Sequence, residues 1–146
     1  MTRRILHLGL GAFHRAHQAV YLQRLHDAGD RRWSLAAGNL RRDGDAVLDA
    51  LIAQQGAYTL ETVSPEGRRQ YQRIGSIAHV VPPDAGMAAL IALGADAATA
   101  IVSLTITESG YGLDARGDLD LHAVDIAADL QATREHRAGG TVYSVL

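Results

Sequence analysis

Two glycines, Gly9 and Gly11, stand where an apolar, strand-like segment changes into a segment with helical spacing. Residues 4–8 form a short apolar run, and beyond the glycines apolar side chains recur at helical intervals until Gly29. Glycines at such a junction let the backbone turn tightly and expose its N–H groups at a helix start, where a pyrophosphate can bind. The sequence therefore predicts a strand–turn–helix unit suited to a dinucleotide; the alternative is an ordinary strand-to-helix turn.

The rest of the chain continues to alternate between strand-like and helix-like segments. This order predicts an α/β fold, namely a Rossmann-like, doubly wound, mostly parallel sheet with an inserted β-hairpin, formed by residues 1–146 as one domain. The predicted elements are a strand at 33–38, a helix from about 43 to 56, a hairpin of 57–63 and 68–74, a helix at 87–93, a buried strand at 100–106, an extended segment at 114–121 and a helix at 124–130.

Composition excludes several other classes of protein. The chain has 146 residues, 47% of them apolar, and a net charge of −2, which favours one globular domain over a disordered or fibrous chain. It contains no cysteine, so disulfides, thiolate metal sites and cysteine nucleophiles are excluded. Its arginine pairs are scattered and no apolar run approaches the length of a membrane span. We therefore expect a cytoplasmic protein without nucleic-acid or membrane partners.

The residues after the glycines carry the first candidate cofactor contacts. His14 occupies the place of the third glycine in the common dinucleotide-binding fingerprint, which predicts that helix and strand approach less closely. We expect the backbone N–H groups of Phe13 and His14 to donate to phosphate, with the Phe13 side chain facing either the cofactor or the sheet. His14 and His17 share a helix face, but no third ligand has matching spacing, so no metal site is predicted.

The end of the second predicted strand lacks the acidic residue that holds the adenosine ribose in many NAD-binding domains. Asn39 is our candidate for this contact, and Asp43 is an alternative. Arg41 and Arg42 would instead suit the 2′-phosphate of NADP. From these residues alone the choice between NAD and NADP stays open.

The strand at 100–106 runs into a polar, glycine-containing loop. Open parallel sheets bind ligands at the carboxyl ends of their strands. We therefore expect Thr105, Thr107 and Glu108 to face the nicotinamide half of a bound cofactor.

Several blocks of the sequence, in this order, resemble the mannitol dehydrogenase family, the polyol-specific long-chain dehydrogenases. The resemblance covers nearly the whole chain and implies NAD as cofactor and a polyol as substrate. It also accounts for the missing third glycine, because the family carries Phe-His or similar residues there. The resembling blocks are 9–21, 54–60, 101–111, 117–121 and 125–130.

Two segments, 29–36 and 58–65, are most similar to the branch of the family that oxidises D-arabinitol. The branches that oxidise mannitol and that reduce uronates are the alternatives. Many relatives have Lys-Gly-Tyr-Cys where this chain has Ser109 to Gly112, and this difference favours the polyol branches over the uronate reductases.

The resemblance also implies a lysine as general base, yet all 14 cationic side chains here are arginines. Arginine cannot replace that base because its high pKa keeps it protonated. We therefore expect this chain to be the cofactor-binding part, without catalytic residues and without dehydrogenase activity alone. Glu108 is a candidate to relay the proton that the lysine takes from the alcohol, the alternative being a surface salt bridge.

Residues 141–146 resemble the beginning of an apolar helix that stops without a cap. We take this as a sign that the chain is truncated before a catalytic domain. Apolar surface normally covered by that domain would then favour self-association. The alternative from another class is a free-standing, non-catalytic nucleotide-binding module.

Overall fold

The structure, a computed structural model, describes residues 2–40, 46–105 and 107–145, except for the side chains of Asp84, Glu108 and Ser109. Its strands are β1 (Arg3–Leu8), β2 (Trp33–Gly38), β3 (Tyr58–Val63), β4 (Arg69–Ile74), β5 (Ile77–Val80) and β6 (Thr99–Leu104). Its α-helices are α1 (Ala12–Ala16), α2 (Gln18–Asp27), α3 (Ala46–Ala53), α4 (Gly86–Ala95) and α5 (Val124–Arg134). Short 3-10 turns lie at Pro83–Ala85, Glu108–Tyr111 and Val142–Ser144.

Four parallel strands form the main sheet in the order β5-β2-β1-β6. The hairpin β3–β4 forms a separate antiparallel pair. The predicted α/β class with an inserted hairpin is therefore confirmed. Since β1 pairs with β2 on one side and β6 on the other, the carboxyl ends of these three strands meet at one sheet edge, at Leu8, Gly38 and Leu104.

Alternating side chains of the central strands separate the core into two clusters, one on each face of the sheet. In β2, for example, Leu35 and Ala37 pack into the first cluster whereas Ala36 packs into the second. The buried members of the first cluster are Leu10, Ala19, Val20, Leu22, Leu35, Ala37, Leu48, Leu51, Ile74 and Ile77. Those of the second are Leu6, Leu8, Ala36, Val81, Leu90 and Val142.

The apolar strand β6 is not the buried strand that its sequence predicts. It forms an edge of the sheet within the described part of the chain, and Ile101 at its middle is 44% exposed. An apolar run indicates apolar surroundings but does not say how many neighbouring strands supply them. The opposite edge strand, β5, has only four residues and was not predicted.

Helical segments differ from the prediction mainly where the backbone bends. The first predicted helix is divided at His17, whose φ of −124° and ψ of −80° interrupt the helical geometry between α1 and α2. In place of the extended segment predicted at 114–121, the structure has one isolated bridge that joins Leu119 to Leu113. The apolar helix predicted from residue 141 is also wrong, because the structure has a single 3-10 turn there, with Val142 buried in the second cluster.

None of the helices in the described ranges has the length and apolar character needed to span a membrane.

Candidate cofactor-binding site

An open cleft of about 570 Å³ lies at the sheet edge where β1, β2 and β6 end. Six of the predicted site residues line it, namely Gly9, Gly11, Phe13, Asn39, Thr105 and Thr107. The sequence interpretation missed four further lining residues, which are Leu10, Ala12, Leu104 and Tyr111. These four residues belong to the same glycine turn, strand end and loop as the predicted ones. Their nearness in the chain to predicted residues was the signal that could have identified them.

Gly9 and Gly11 serve the turn in different ways. Gly9 has a φ of +100°, and a Cβ there would overlap the carbonyl oxygen of Thr105 at the end of β6. Gly11 has a φ of −87°, which any residue can adopt, and the nearest atom to a Cβ there is 4.0 Å away. The protein therefore needs glycine at position 9 for its own packing, whereas the missing side chain at position 11 only leaves space on the cleft side.

Hydrogen bonds fix the turn between the two neighbouring strand ends. The Gly9 N–H donates to the Gly38 carbonyl at 2.9 Å, and the Leu10 N–H donates to Asn39 Oδ1 at 2.6 Å. On the other side, the Thr105 N–H donates to the Leu8 carbonyl at 3.0 Å. The oxygen of Asn39 thus holds the turn in place, a role that its predicted ribose contact did not include.

The start of α1 presents N–H groups to the cleft. Gly11 is the N-cap residue, and no side chain caps the helix there. The first N–H groups of a helix have no acceptor within it, so those of Ala12, Phe13 and His14 are donors for an anion beside the turn. The helix has only one turn before His17, so these donors and the local peptide orientation contribute more here than a long helix dipole.

The Phe13 side chain is 66% exposed, and its ring lies 4.5 Å from that of His17. The alternative in which Phe13 faces the sheet is therefore wrong. Tyr111 approaches the cleft from the opposite loop, where its carbonyl accepts a hydrogen bond from the Tyr143 hydroxyl at 2.9 Å.

A buried histidine, His7, lies beneath the turn with only 3% of its surface exposed. Its Nδ1 is 2.9 Å from Ser103 Oγ, and its Nε2 is 2.9 Å from Thr105 Oγ1 and 3.1 Å from the Gly9 carbonyl oxygen. Burial lowers the pKa of His7, although the bond to the Gly9 carbonyl opposes this shift. His7 was not among the predicted site residues; the only sequence signal was a polar residue within an apolar strand, because its pairing with Ser103 of β6 is visible only in the structure.

The side chain of His14 does not line the cleft but is buried behind the turn, 1% exposed. Its ring stacks on His7 with centroids 3.7 Å apart and planes 13° from parallel. Among the described residues neither ring nitrogen has a hydrogen-bond partner. Burial, followed by the neighbouring His7, lowers the pKa of His14 to about 3, so the ring is neutral. An imidazole that packs on a second imidazole thus takes the place of the third glycine.

Arg41, Arg42 and Asp43 lie outside the described residues, as does the side chain of Glu108, whose backbone begins a 3-10 turn. Within the described ranges, no three His, Asp or Glu side chains lie close enough together to bind a metal ion.

The parallel sheet, the glycine turn and the cleft at the strand ends define a Rossmann-type dinucleotide-binding domain. The sequence model of the mannitol dehydrogenase Rossmann domain matches residues 3–142, and the chain belongs to this family.

Among curated relatives, the D-arabinitol 4-dehydrogenases of Ralstonia nicotianae and Klebsiella pneumoniae are 54% and 53% identical over 144 and 141 residues. Each match covers 97% of this chain and 30% of the relative, so the chain spans less than a third of their length. Among solved structures, Pseudomonas fluorescens mannitol 2-dehydrogenase, in a ternary complex with NAD and D-mannitol, has a TM-score of 0.86 and 33% identity. That match covers 99% of this chain and 29% of the other.

Proposed function

We propose that this chain is the NAD-binding part of a polyol dehydrogenase that converts D-arabinitol and NAD to D-xylulose and NADH. The observation that carries the cofactor assignment is the turn itself. There the open space above Gly11 lies beside the first N–H groups of α1, at the carboxyl ends of parallel strands. The similarity to a solved NAD complex supports the choice of NAD, and the two arabinitol dehydrogenases support the substrate.

In this proposal the pyrophosphate binds above Gly11 and accepts hydrogen bonds from the N–H groups of Phe13 and His14. Asn39 contacts the adenosine ribose while its oxygen holds the turn. Thr105 and Thr107 face the nicotinamide half, and Glu108 relays a proton on that side. The cofactor supplies the hydride acceptor, and the chain's own residues orient it at the edge of the sheet.

The catalytic base is proposed to lie outside these 146 residues, in a further domain of a longer polypeptide. The chain contains no lysine, and it covers only 30% of the matched dehydrogenases. Residues 1–146 alone are therefore expected to produce no NADH from D-arabinitol or D-mannitol. Turnover of either polyol by this chain would contradict the assignment. Substrate profiling of the complete polypeptide with D-arabinitol, D-mannitol and uronates distinguishes the branches of the family.

The test of the cofactor site is calorimetric titration with NAD of the wild-type chain and of Gly11→Ala. A methyl group at position 11 meets no protein atom closer than 4.0 Å, so the fold should keep its melting temperature. NAD affinity should fall about 10-fold or more, since the methyl group occupies the path of the pyrophosphate.

Gly75→Ala is the matched control, because a Cβ there also has open space, with its nearest neighbour 3.9 Å away. It should bind NAD as the wild type does. Absence of NAD binding by the wild type, or equal affinities of the wild type and Gly11→Ala, would overturn the assignment.

We further propose that this chain self-associates. Large apolar side chains are exposed along residues 111–143, where the fold gives them little cover. Sedimentation across a concentration series should show growth in average mass, and a strictly monomeric sample would contradict it. These side chains are Tyr111, Leu113, Leu119, Leu121, Val124, Leu130 and Tyr143.

A further inference from the structure

The side chains beneath the turn form a hydrogen-bond chain with a definite direction. Thr105 Oγ1 donates to the Gly9 carbonyl oxygen at 2.7 Å, so its lone pairs are available to His7 Nε2 at 2.9 Å. The Gly9 oxygen, 3.1 Å from the same nitrogen, can only accept. Nε2 must therefore carry the proton of His7.

The other ring nitrogen completes the chain. With Nε2 protonated, Nδ1 of the neutral ring accepts from the Ser103 hydroxyl at 2.9 Å. Ser103 Oγ in turn accepts from Gln18 Nε2 at 3.2 Å. The hydrogen bonds thus run from Gln18 of α2 through Ser103 to His7, whose Nε2–H faces both Thr105 Oγ1 and the Gly9 carbonyl oxygen. The stacked ring of His14 holds the plane of His7.

The orientation of one peptide group follows from this arrangement. The Gly9 carbonyl oxygen accepts from Gly11 N–H, Thr105 Oγ1 and His7 Nε2 and is thereby held toward the protein. Because the C=O and N–H of a trans peptide point in opposite directions, the Leu10 N–H then faces Asn39 Oδ1, 2.6 Å away. The plane of this peptide determines where Gly11 and the first turn of α1 lie.

From this geometry we propose that His7 is a positioning residue for the cofactor: its Nε2–H fixes the Gly9 peptide and the Thr105 hydroxyl, and through them the pyrophosphate-binding turn. His7 is buried and does not line the cleft, so it acts through these two groups and not by contact with the ligand. The inference rests on the proposed function, since it concerns affinity for NAD.

Two amide variants separate positioning from simple packing. In His7→Gln the side-chain amide reaches as far as Nε2 and restores the donor toward Gly9 and Thr105. In His7→Asn the shorter amide reaches only the place of Nδ1 and the Ser103 hydroxyl. Both lose the ring and its stack on His14, so the difference between them reports the donor beneath the turn.

We expect His7→Gln to bind NAD within about 3-fold of the wild type, and His7→Asn to bind about 10-fold or more weakly, the cost of one buried hydrogen bond. Melting temperatures of the two variants should be similar. Equal NAD affinities for the two variants, or a greater loss in His7→Gln, would overturn the proposal.

A second measurement does not depend on these variants or on NAD. Nitrogen-15 NMR of the wild-type imidazoles should show His7 protonated at Nε2 and unprotonated at Nδ1. The opposite tautomer would overturn the proposal even if NAD binds. If the wild type fails to bind NAD while Nε2 is protonated, the proposed function fails but the hydrogen-bond arrangement stands, so the two failures are distinguishable.

Discussion

The glycine turn at residues 9–11 and the segment at residues 139–144 are both held by a buried polar side chain. In each, a glycine lies where a Cβ would overlap its neighbour: Gly9 against the Thr105 carbonyl, and Gly139 against the side chains of Asp129 and Ser144. The turn opens onto the cleft, whereas the 139–144 segment places Val142 in the core. The same packing device thus serves a candidate ligand site in one place and fold stability in the other.

The two regions differ in charge. The turn is supported by His7 and His14, whose pKa values are lowered mainly by burial, so both are neutral. Asp129, only 8% exposed, accepts hydrogen bonds from Gly140 N–H at 2.5 Å, Thr141 N–H at 2.9 Å, Ser144 Oγ at 2.9 Å and the Thr141 hydroxyl. Burial alone would raise the pKa of Asp129, but these bonds outweigh it and hold the pKa below its ordinary value.

This difference has a physical reason. A buried carboxylate beneath the turn would repel an anionic pyrophosphate through a medium of low dielectric, whereas neutral imidazoles add no charge there. The 139–144 segment does not line the cleft, so it can use the stronger hydrogen bonds that an ionised acceptor makes.

The largest expected effect comes from Gly9→Ala. The methyl group overlaps a backbone oxygen that no rotamer change can move, and φ of +100° is unfavourable for alanine. We expect loss of at least about 2 kcal/mol in the free energy of unfolding and NAD affinity too weak to measure. Denaturant titration and calorimetry check both values.

Gly29→Ala is the control, because Gly29 has a similar φ of +90° but nothing within 4 Å of a Cβ. It should cost about 1 kcal/mol and leave NAD binding unchanged. Equal effects of the two substitutions would show that φ alone, and not the contact with β6, makes glycine necessary at position 9.

Asp129→Asn tests the charged region. The amide cannot replace an ionised acceptor of four hydrogen bonds, so we expect a loss of about 2–3 kcal/mol in the free energy of unfolding. NAD affinity should stay within 2-fold at temperatures where the variant is folded. Asp118→Asn, at a side chain that is 75% exposed, should change neither quantity. Weakened NAD binding by Asp129→Asn would show that the two regions are coupled.

The turn could be predicted from the sequence, whereas the segment at residues 139–144 could not. Gly9, Gly11, Thr105 and the alternating elements carry local signals, namely turn chemistry and apolar periodicity, so the sheet class and the cleft were predictable. Asp129 was not, because a helical aspartate carries no mark of the segment that folds back onto it 11 residues later.

Partners distant in the chain also account for the missing parts of the site. His7 meets Ser103 and Thr105 only because β1 and β6 are neighbours in the sheet, and sequence spacing does not encode that pairing. His14 stands at the third-glycine position in the sequence, but its stack on His7 requires α1 to pack against β1, which the spacing of the two histidines does not reveal.

Acid should weaken the two regions in separate pH ranges. The folded pKa of His14, about 3, lies below its ordinary value of 6.5, so the unfolded chain binds the extra proton. The contribution of neutral His14 to the free energy of unfolding is therefore fully present above pH 6.5. It falls as the pH drops, by about 2 kcal/mol between pH 7 and pH 5. Asp129, with an ordinary value of 3.8, contributes a further loss only below about pH 4.

Denaturant titrations at pH 7, 5 and 3.5 measure this dependence. His14→Phe, which keeps an aromatic ring against His7, should remove about 2 kcal/mol of the loss between pH 7 and pH 5. His122→Phe, at an exposed position, should retain the whole loss. If the free energy of unfolding of the wild type stays constant down to pH 4, protonation of the histidine pair does not destabilise the fold, and the prediction is wrong.

The smallest effect is expected at an uncharged contact that links the hairpin to the helix behind the turn. The Tyr58 hydroxyl of β3 donates to the Arg15 carbonyl of α1 at 2.5 Å, and burial raises the pKa of Tyr58 to about 12. Tyr58→Phe removes this one neutral hydrogen bond and should cost about 1 kcal/mol in the free energy of unfolding.

Tyr71→Phe on β4 is the matched control. Because Tyr71 is 66% exposed, this substitution should change the free energy of unfolding by almost nothing. Because Arg15 directly follows His14, NAD titration of Tyr58→Phe also tests whether the contact between the hairpin and α1 helps to hold the turn in place. Unchanged affinity would confine that support to the side chains between β1, β6 and α2, whereas weaker binding at an intact melting temperature would add the hairpin to it.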